Sequence, residues 1–304
     1  MNRGILYGLC AYGLWGLLPI YWKALGAVPA QEILAHRVVW ALLVLTGLLT
    51  VTRRWQWIRT LRTDPATFFT FVAIAFLLGT NWFTYIWAVN AGFVVETSLG
   101  YFITPLINVL MGVLLLRERV RPLQWVAVGL AGLGVLYLTV SYGSLPWIAL
   151  VLAFTFSLYG LVKKQARLSA LEGLSLEMAV LFLPALGYLL WLGEQGQAAF
   201  GSSLPTTLLL AGTGIMTAVP LLCFAGAARR IPLSTLGFLQ YLAPTLQFLL
   251  GVLLYKEPFT QVRMIGFGII WIALALYSAE GYLAHRRRAR QIRYPALTPT
   301  NPPS

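Results

Sequence analysis

Thr104-Pro105-Leu106-Ile107-Asn108, continued by Gly112-Val113-Leu114-Leu115-Leu116-Arg117-Glu118, has a second copy later in the chain. That copy is Ala243-Pro244-Thr245-Leu246-Gln247, continued by Gly251-Val252-Leu253-Leu254-Tyr255-Lys256-Glu257. The paired prolines, glycines and glutamates are all 139 residues apart. A constant offset across an apolar stretch points to internal duplication, a common feature of membrane carriers. A shorter match, Trp15-Gly16-Leu17 against Tyr159-Gly160-Leu161, extends the pairing toward the beginning of the chain. The sequence therefore reads as two related halves, 1–143 and 144–282, followed by a basic tail, 283–304.

Composition says what kind of halves these are. Of 304 residues, 59% are hydrophobic and 10% charged, whereas a soluble domain has about 25% charged residues. Mean hydropathy is +0.77, which excludes an ordinary soluble fold. A bilayer crossing takes about 20 apolar residues. Stretches of that length lie at 4–22, 33–51, 67–89, 95–115 and 122–141, then at 145–162, 175–193, 204–227, 233–254 and 260–281. Pro65, Pro122, Pro146, Pro205 and Pro232 stand where spans should begin, the position at which proline's missing N–H is harmless. The predicted fold is an all-α polytopic membrane protein with ten transmembrane helices, arranged as two inverted five-helix repeats. Arg3 and the Ala27-Val28-Pro29-Ala30 stretch resemble a signal peptide, but the first span has a partner in the sixth and is expected to be retained.

Five helices per half make the second half enter the membrane the opposite way round, and the cations agree. The loop around 91–95 carries none, whereas its counterpart carries Arg229-Arg230. Lys and Arg accumulate in cytoplasmic loops. With both termini cytoplasmic, 18 of the 22 cations fall inside, and only Lys23, Arg37, Lys256 and Arg263 fall outside. Beyond Arg293 the chain has no apolar face and is expected to be disordered.

Taken together, several motifs resemble the EamA-type drug/metabolite transporters, and within them the RarD-like branch of chloramphenicol-sensitivity proteins. They are Leu14-Trp15-Gly16, Glu32-Ile33-Leu34-Ala35-His36-Arg37, Asn81-Trp82 and Ser98-Leu99-Gly100-Tyr101-Phe102-Ile103-Thr104-Pro105 in the first half. Leu176-Glu177 with Pro184, and Gly237 with Gln240-Tyr241-Leu242-Ala243-Pro244, add to them in the second. The resemblance covers about residues 1–282. It implies a ten-helix inner-membrane carrier, an exporter of small metabolites or drugs, and does not fix the substrate.

Polar groups inside a bilayer are costly and mark pathways. Tyr101, Pro105, Asn108 and Gly112 share one helix face, as do Gln240, Pro244, Gln247 and Gly251. Each proline frees a carbonyl four residues earlier, which suits a gate or site and equally a packing kink. The expected substrate-binding residues are Asn81, Trp82, Tyr85, Tyr101, Asn108, Gln240, Tyr241 and Gln247. The expected gates are Pro105, Pro244, His36 and Arg37, the last two also read as ion-pair partners of Glu32. Tyr12, Trp15, Ser157, Tyr159, Thr217 and Pro220 are further candidates for the wall of an aromatic cavity. Glu118 and Glu257, each beside a cation, read as solvated interfacial pairs, and Cys10 and Cys223 as small apolar fillers.

No acidic residue falls near the middle of a predicted span, so translocation is expected not to need a midplane carboxylate; Glu177 and His36, at span ends, are the candidates for coupling. A membrane-embedded lipid-modifying enzyme finds no support: there is no His-Glu-x-x-His, no Gly-x-Ser-x-Gly and no intramembrane carboxylate pair. A channel or receptor-like scaffold competes more closely, but paired kinks in inverted halves favour a carrier. No metal or other cofactor is expected. The partners expected are a small-molecule substrate and the lipid bilayer, not nucleic acid, with homo-oligomerisation left open.

Overall fold

A computed structural model describes residues 2–91, 94–143, 146–254 and 260–293. The helices in chain order are α1 (Arg3–Ala24), α2 (Ala30–Val51), α3 (Trp57–Thr63), α4 (Pro65–Asn90), α5 (Val94–Leu114), α6 (Pro122–Tyr142), α7 (Trp147–Gln165), α8 (Ala170–Glu194), α9 (Leu204–Ala228), α10 (Leu233–Gln240), α11 (Leu242–Leu249) and α12 (Gln261–Arg293). A π-helical turn, Leu250–Leu254, follows α11. Among the described residues there is no strand, and eight helices (α1, α2, α4, α6, α7, α8, α9 and α12) are long and apolar enough to cross a membrane; α5 holds a shorter apolar run, Leu99–Leu114. The chain is a polytopic helical membrane protein.

Local chemistry sets the helix ends. Ser169 caps α8 in a reciprocal box with Glu172, Ser203 accepts from Thr206 N at the start of α9, and Asp64 accepts from Thr67 at the start of α4. Each occupies backbone N–H groups that a first helical turn leaves without partners.

Three segments differ from the sequence-based expectation. The single span expected over 233–254 is divided into α10, α11 and the π turn. Pro244 supplies no N–H to Gln240, and Tyr241 N bonds instead to Phe238 O at 3.3 Å, a tightened turn at the break. In the first half, α5 continues through Pro105 without interruption. Secondly, α12 continues beyond the expected span end at 281, through the first part of the basic tail, to Arg293. Thirdly, α3 is an additional short helix between the second and third expected spans.

Packing brings the halves into each other. The helix α5 packs on α7 and α10, α4 on α7 and α8, α1 on α9 and α11, α2 on α8 and α9, and α6 on α12. Small residues allow the close approaches. A Cβ on Gly214 of α9 would lie 2.5 Å from the Trp40 backbone carbon of α2, and one on Gly237 of α10 would lie 2.7 Å from the Pro105 carbonyl oxygen of α5. An ion pair from Arg121 to Glu280 at 2.9 Å ties α6 to α12. Another, from Arg167 to Asp64 at 2.6 Å, ties the end of α7 to the start of α4.

Candidate substrate site

Helices from both halves enclose a cavity of about 500 Å³, within the range of small-molecule sites. Its walls come from α1 (Tyr12, Trp15, Trp22, Lys23), α2 (Arg37), α4 (Asn81, Trp82, Tyr85) and α5 (Thr97, Tyr101, Thr104), and from Leu152 and Phe156 of α7, Leu221 of α9, Gln240 of α10 and Gln247 of α11. The wall is mainly aromatic, with a few amides and hydroxyls, one guanidinium and one ammonium.

Behind Trp15 and Phe156 the rings continue inward. Phe156 stacks on Tyr159 at 5.8 Å, Tyr159 on Phe224 at 5.7 Å, and Tyr12 meets Phe224 edge-on at 6.3 Å. Tyr159 then donates to the Glu177 carboxylate at 3.2 Å, and Lys163 donates to the other oxygen of the same carboxylate. Lys163 also lies 5.5 Å from the Phe71 ring centre. An unbroken series of contacts therefore runs from the cavity wall to a buried ion pair.

Of the expected binding residues, Asn81, Trp82, Tyr85, Tyr101, Gln240 and Gln247 line the cavity; Asn108 and Tyr241 do not. Asn108 is buried behind Gln240 and donates to its Oε1 at 3.1 Å. The Tyr241 ring lies among Phe102 and Phe238, with its hydroxyl donating to Phe102 O at 3.2 Å. Both take part in the α5–α10 seam, where Gly237 brings the backbones too close to leave a space. Gln247 donates to Trp15 O at 3.2 Å, and Asn81 donates to Leu152 O and Thr155 Oγ1, each at 2.9 Å. These amides tie one half to the other.

The expected gate residues separate. Pro105 and Pro244 are buried and outside the cavity wall. His36 accepts from Trp40 Nε1 at 3.2 Å, stacks on Phe200 at 5.0 Å and lies 3.8 Å from Glu32. Glu32 accepts from Ala199 N at 2.7 Å and Phe200 N at 3.3 Å. This pair anchors the α8–α9 connection, so His36 holds a loop and does not face the cavity. Arg37 is not paired with Glu32: its Nε donates to Thr217 Oγ1 at 3.1 Å, with Trp82 and Trp22 at 4.6 and 5.2 Å.

Two acidic residues also depart from expectation. Glu118 is not a solvated surface partner but caps α10, accepting from Leu233 N at 2.7 Å and Ser234 N at 3.1 Å, with Lys164 at 3.8 Å. Glu177, expected at a span end, is fully buried two turns into α8. Glu257 lies outside the described residues.

The profile of the EamA-like transporter family matches this chain twice, over residues 2–140 and 145–279. The chain belongs to that family. EamA-like relatives include Protein RarD of Streptomyces exfoliatus, 52% identical over 95% of this chain and 92% of its own length. Protein RarD of Escherichia coli K12 is 44% identical over 95% of this chain and 98% of its own. The Chloramphenicol-sensitive protein RarD of Pseudomonas aeruginosa is 33% identical over 95% and 98%. A solved crystal structure at 22% identity, covering 91% of this chain and 98% of its own, superposes with a TM-score of 0.72, a likeness of fold. As an EamA-like protein this chain is a membrane transporter and not an enzyme.

Proposed function

We propose that the protein is an inner-membrane secondary carrier that exports a small amphipathic metabolite or drug by alternating access. In this reading it has ten spans in two inverted five-helix repeats, 1–143 and 144–282, and both termini are cytoplasmic. The observation that carries the reading is the cavity walled by α1, α2, α4 and α5 from one half and α7, α9, α10 and α11 from the other. A site between inverted repeats is open to one side or the other as the halves rock.

Helix contacts support the repeat. Exchanging the halves turns α5–α7 into α11–α1, α4–α7 into α9–α1, and α2–α9 into α8–α4, while α2–α8, α5–α10 and α6–α12 map onto themselves; all of these pairs are in contact. The two successive family matches have the same division.

Asn81, Trp82, Tyr85, Tyr101, Gln240 and Gln247 bind the cargo. Asn108 and Tyr241 act from behind, by fixing Gln240 and the α5–α10 seam. The cavity opens past Trp22 and Lys23 toward the outer side, and the stacked Phe156, Tyr159 and Phe224 rings with Lys163 and Glu177 form the closed inner gate. Pro105 and Pro244 provide the bends about which the gates swing.

Comparing metabolites released by cells with and without the protein identifies the cargo, and proteoliposomes then test the mechanism. Saturable uptake accelerated by cargo preloaded on the opposite side is expected. Flux that stays linear with concentration and shows no counterflow would instead indicate a channel.

A further inference from the structure

Arg37 is the feature of the cavity that the general reading does not use. A guanidinium within a membrane bundle is costly and usually paired. Among the described residues, Arg37 has no ion pair with a carboxylate, and no Asp or Glu lines the cavity. The titratable groups that bear on its charge are the phenols of Tyr85 and Tyr101. Thr217 occupies its Nε, and two indoles flank the head group. No acceptor among the described residues engages either terminal nitrogen. Held in this way, the terminal N–H fork matches the two oxygens of a carboxylate.

The surroundings define the rest of the ligand. Tyr12, Trp15, Trp22, Trp82 and Phe156 line the same cavity, an aromatic wall that suits a flat apolar body. The side chain of Gln240 lines the wall with its oxygen already committed to Asn108, leaving its amide N–H groups as donors. The Tyr12 hydroxyl is buried without a partner among the described residues. An apolar cargo would displace water from the Arg37 fork without supplying an acceptor, a neutral amide would offer one uncharged oxygen in place of a charged pair, and a cationic cargo would be repelled.

We propose that the cargo is a small organic carboxylate with an aromatic or similarly flat apolar body, with its carboxylate on the terminal nitrogens of Arg37. This rests on the carrier reading of the same cavity. A zwitterion is a poorer fit than a simple acid, because no described lining residue is a carboxylate that would receive its ammonium.

Three probes of equal shape test the charge preference: 3-phenylpropionate, its neutral primary amide, and 3-phenylpropylamine. Binding to the purified full chain is followed by its tryptophan fluorescence. The acid is expected to bind about tenfold tighter than the amide, as fits a charge-assisted hydrogen bond, with the amine weakest. Arg37→Gln should lower acid binding to the level of the amide, with Arg37→Lys intermediate; the amine, which Arg37 repels, should bind the Arg37→Gln variant no more weakly than the parent chain, which shows that the cavity is still formed. Equal binding of acid and amide, a preference that survives Arg37→Gln, or no saturable binding of any probe would overturn the proposal. Acid-selective binding without transport would leave it standing and remove the carrier reading. Counterflow of the amide without charge preference would do the reverse.

Discussion

The Lys163 ammonium meets the Glu177 carboxylate inside the bundle, with 3% and 0% of the two side chains exposed. Removing one member of such a pair leaves an uncompensated buried charge, which costs about 3–5 kcal/mol, whereas replacing both with apolar groups is often neutral. Glu177→Gln and Lys163→Met should therefore each lower the thermal midpoint in detergent, and Lys163→Met with Glu177→Leu should recover most of it. Additive losses in the double variant would show that the two side chains do not act as a pair.

A second prediction concerns the seam behind the site. Gly237→Ala places a Cβ 2.7 Å from the Pro105 carbonyl oxygen and 3.0 Å from Asn108 Cβ. Overpacking of this kind costs about 1–3 kcal/mol, and it should also displace the Asn108–Gln240 bond. Asn108→Ala should weaken transport about tenfold with little change in expression, since a lost buried partner costs about 1–3 kcal/mol. Full activity in both variants would mean that Gln240 needs no support from α5.

Glu118 reaches from the segment after α5 to the first turn of α10, where backbone N–H groups carry partial positive charge. Glu118→Ala should destabilise by about 1 kcal/mol, the usual worth of a helix cap, and Glu118→Gln by less, as read from unfolding midpoints. No difference between Glu118→Ala and the parent chain would remove the cap from the account.

At the start of α4, hydrogen bonds from Thr67, reinforced by Arg167, hold the Asp64 carboxyl below its ordinary value. A carboxyl depressed on folding stabilises above its unfolded pKa of about 3.9, and the contribution is lost as pH falls through the folded value. Asp64→Asn should therefore flatten the acid side of the stability profile below about pH 4 and leave its neutral and alkaline parts parallel to the parent. An unchanged acid limb would contradict this.

The eight described helices that are long and apolar enough to cross a membrane were legible because apolar length and punctuating prolines act locally. The break at Tyr241 was not, since Pro105 and Pro244 have the same sequence setting and only one interrupts its helix. Asn81, Trp82, Tyr85, Tyr101, Gln240 and Gln247 stood out as polar or aromatic groups within spans, and all six reach the cavity. Asn108 has the same face periodicity as Tyr101, but the approach at Gly237 closes the space in front of it, and the partner that holds it, Gln240, is 132 residues away in sequence. The roles of Glu118, Glu177 and Arg37 were hidden for a related reason. Distance from a helix end says how far a charge lies along the chain, but not what faces it from the neighbouring helix.

The central claim is that one cavity is exposed alternately to the two sides. In a background with Cys10→Ser and Cys223→Ser, Tyr101→Cys places a single thiol in the cavity wall, and a membrane-impermeant maleimide can be applied to either face of oriented vesicles. Labelling from both faces is predicted, and adding Glu177→Gln, which weakens the proposed inner gate, should raise the cytoplasmic rate while lowering the external one. Labelling confined to one face in both backgrounds, or rates that rise together from both faces, would contradict alternating access at this site.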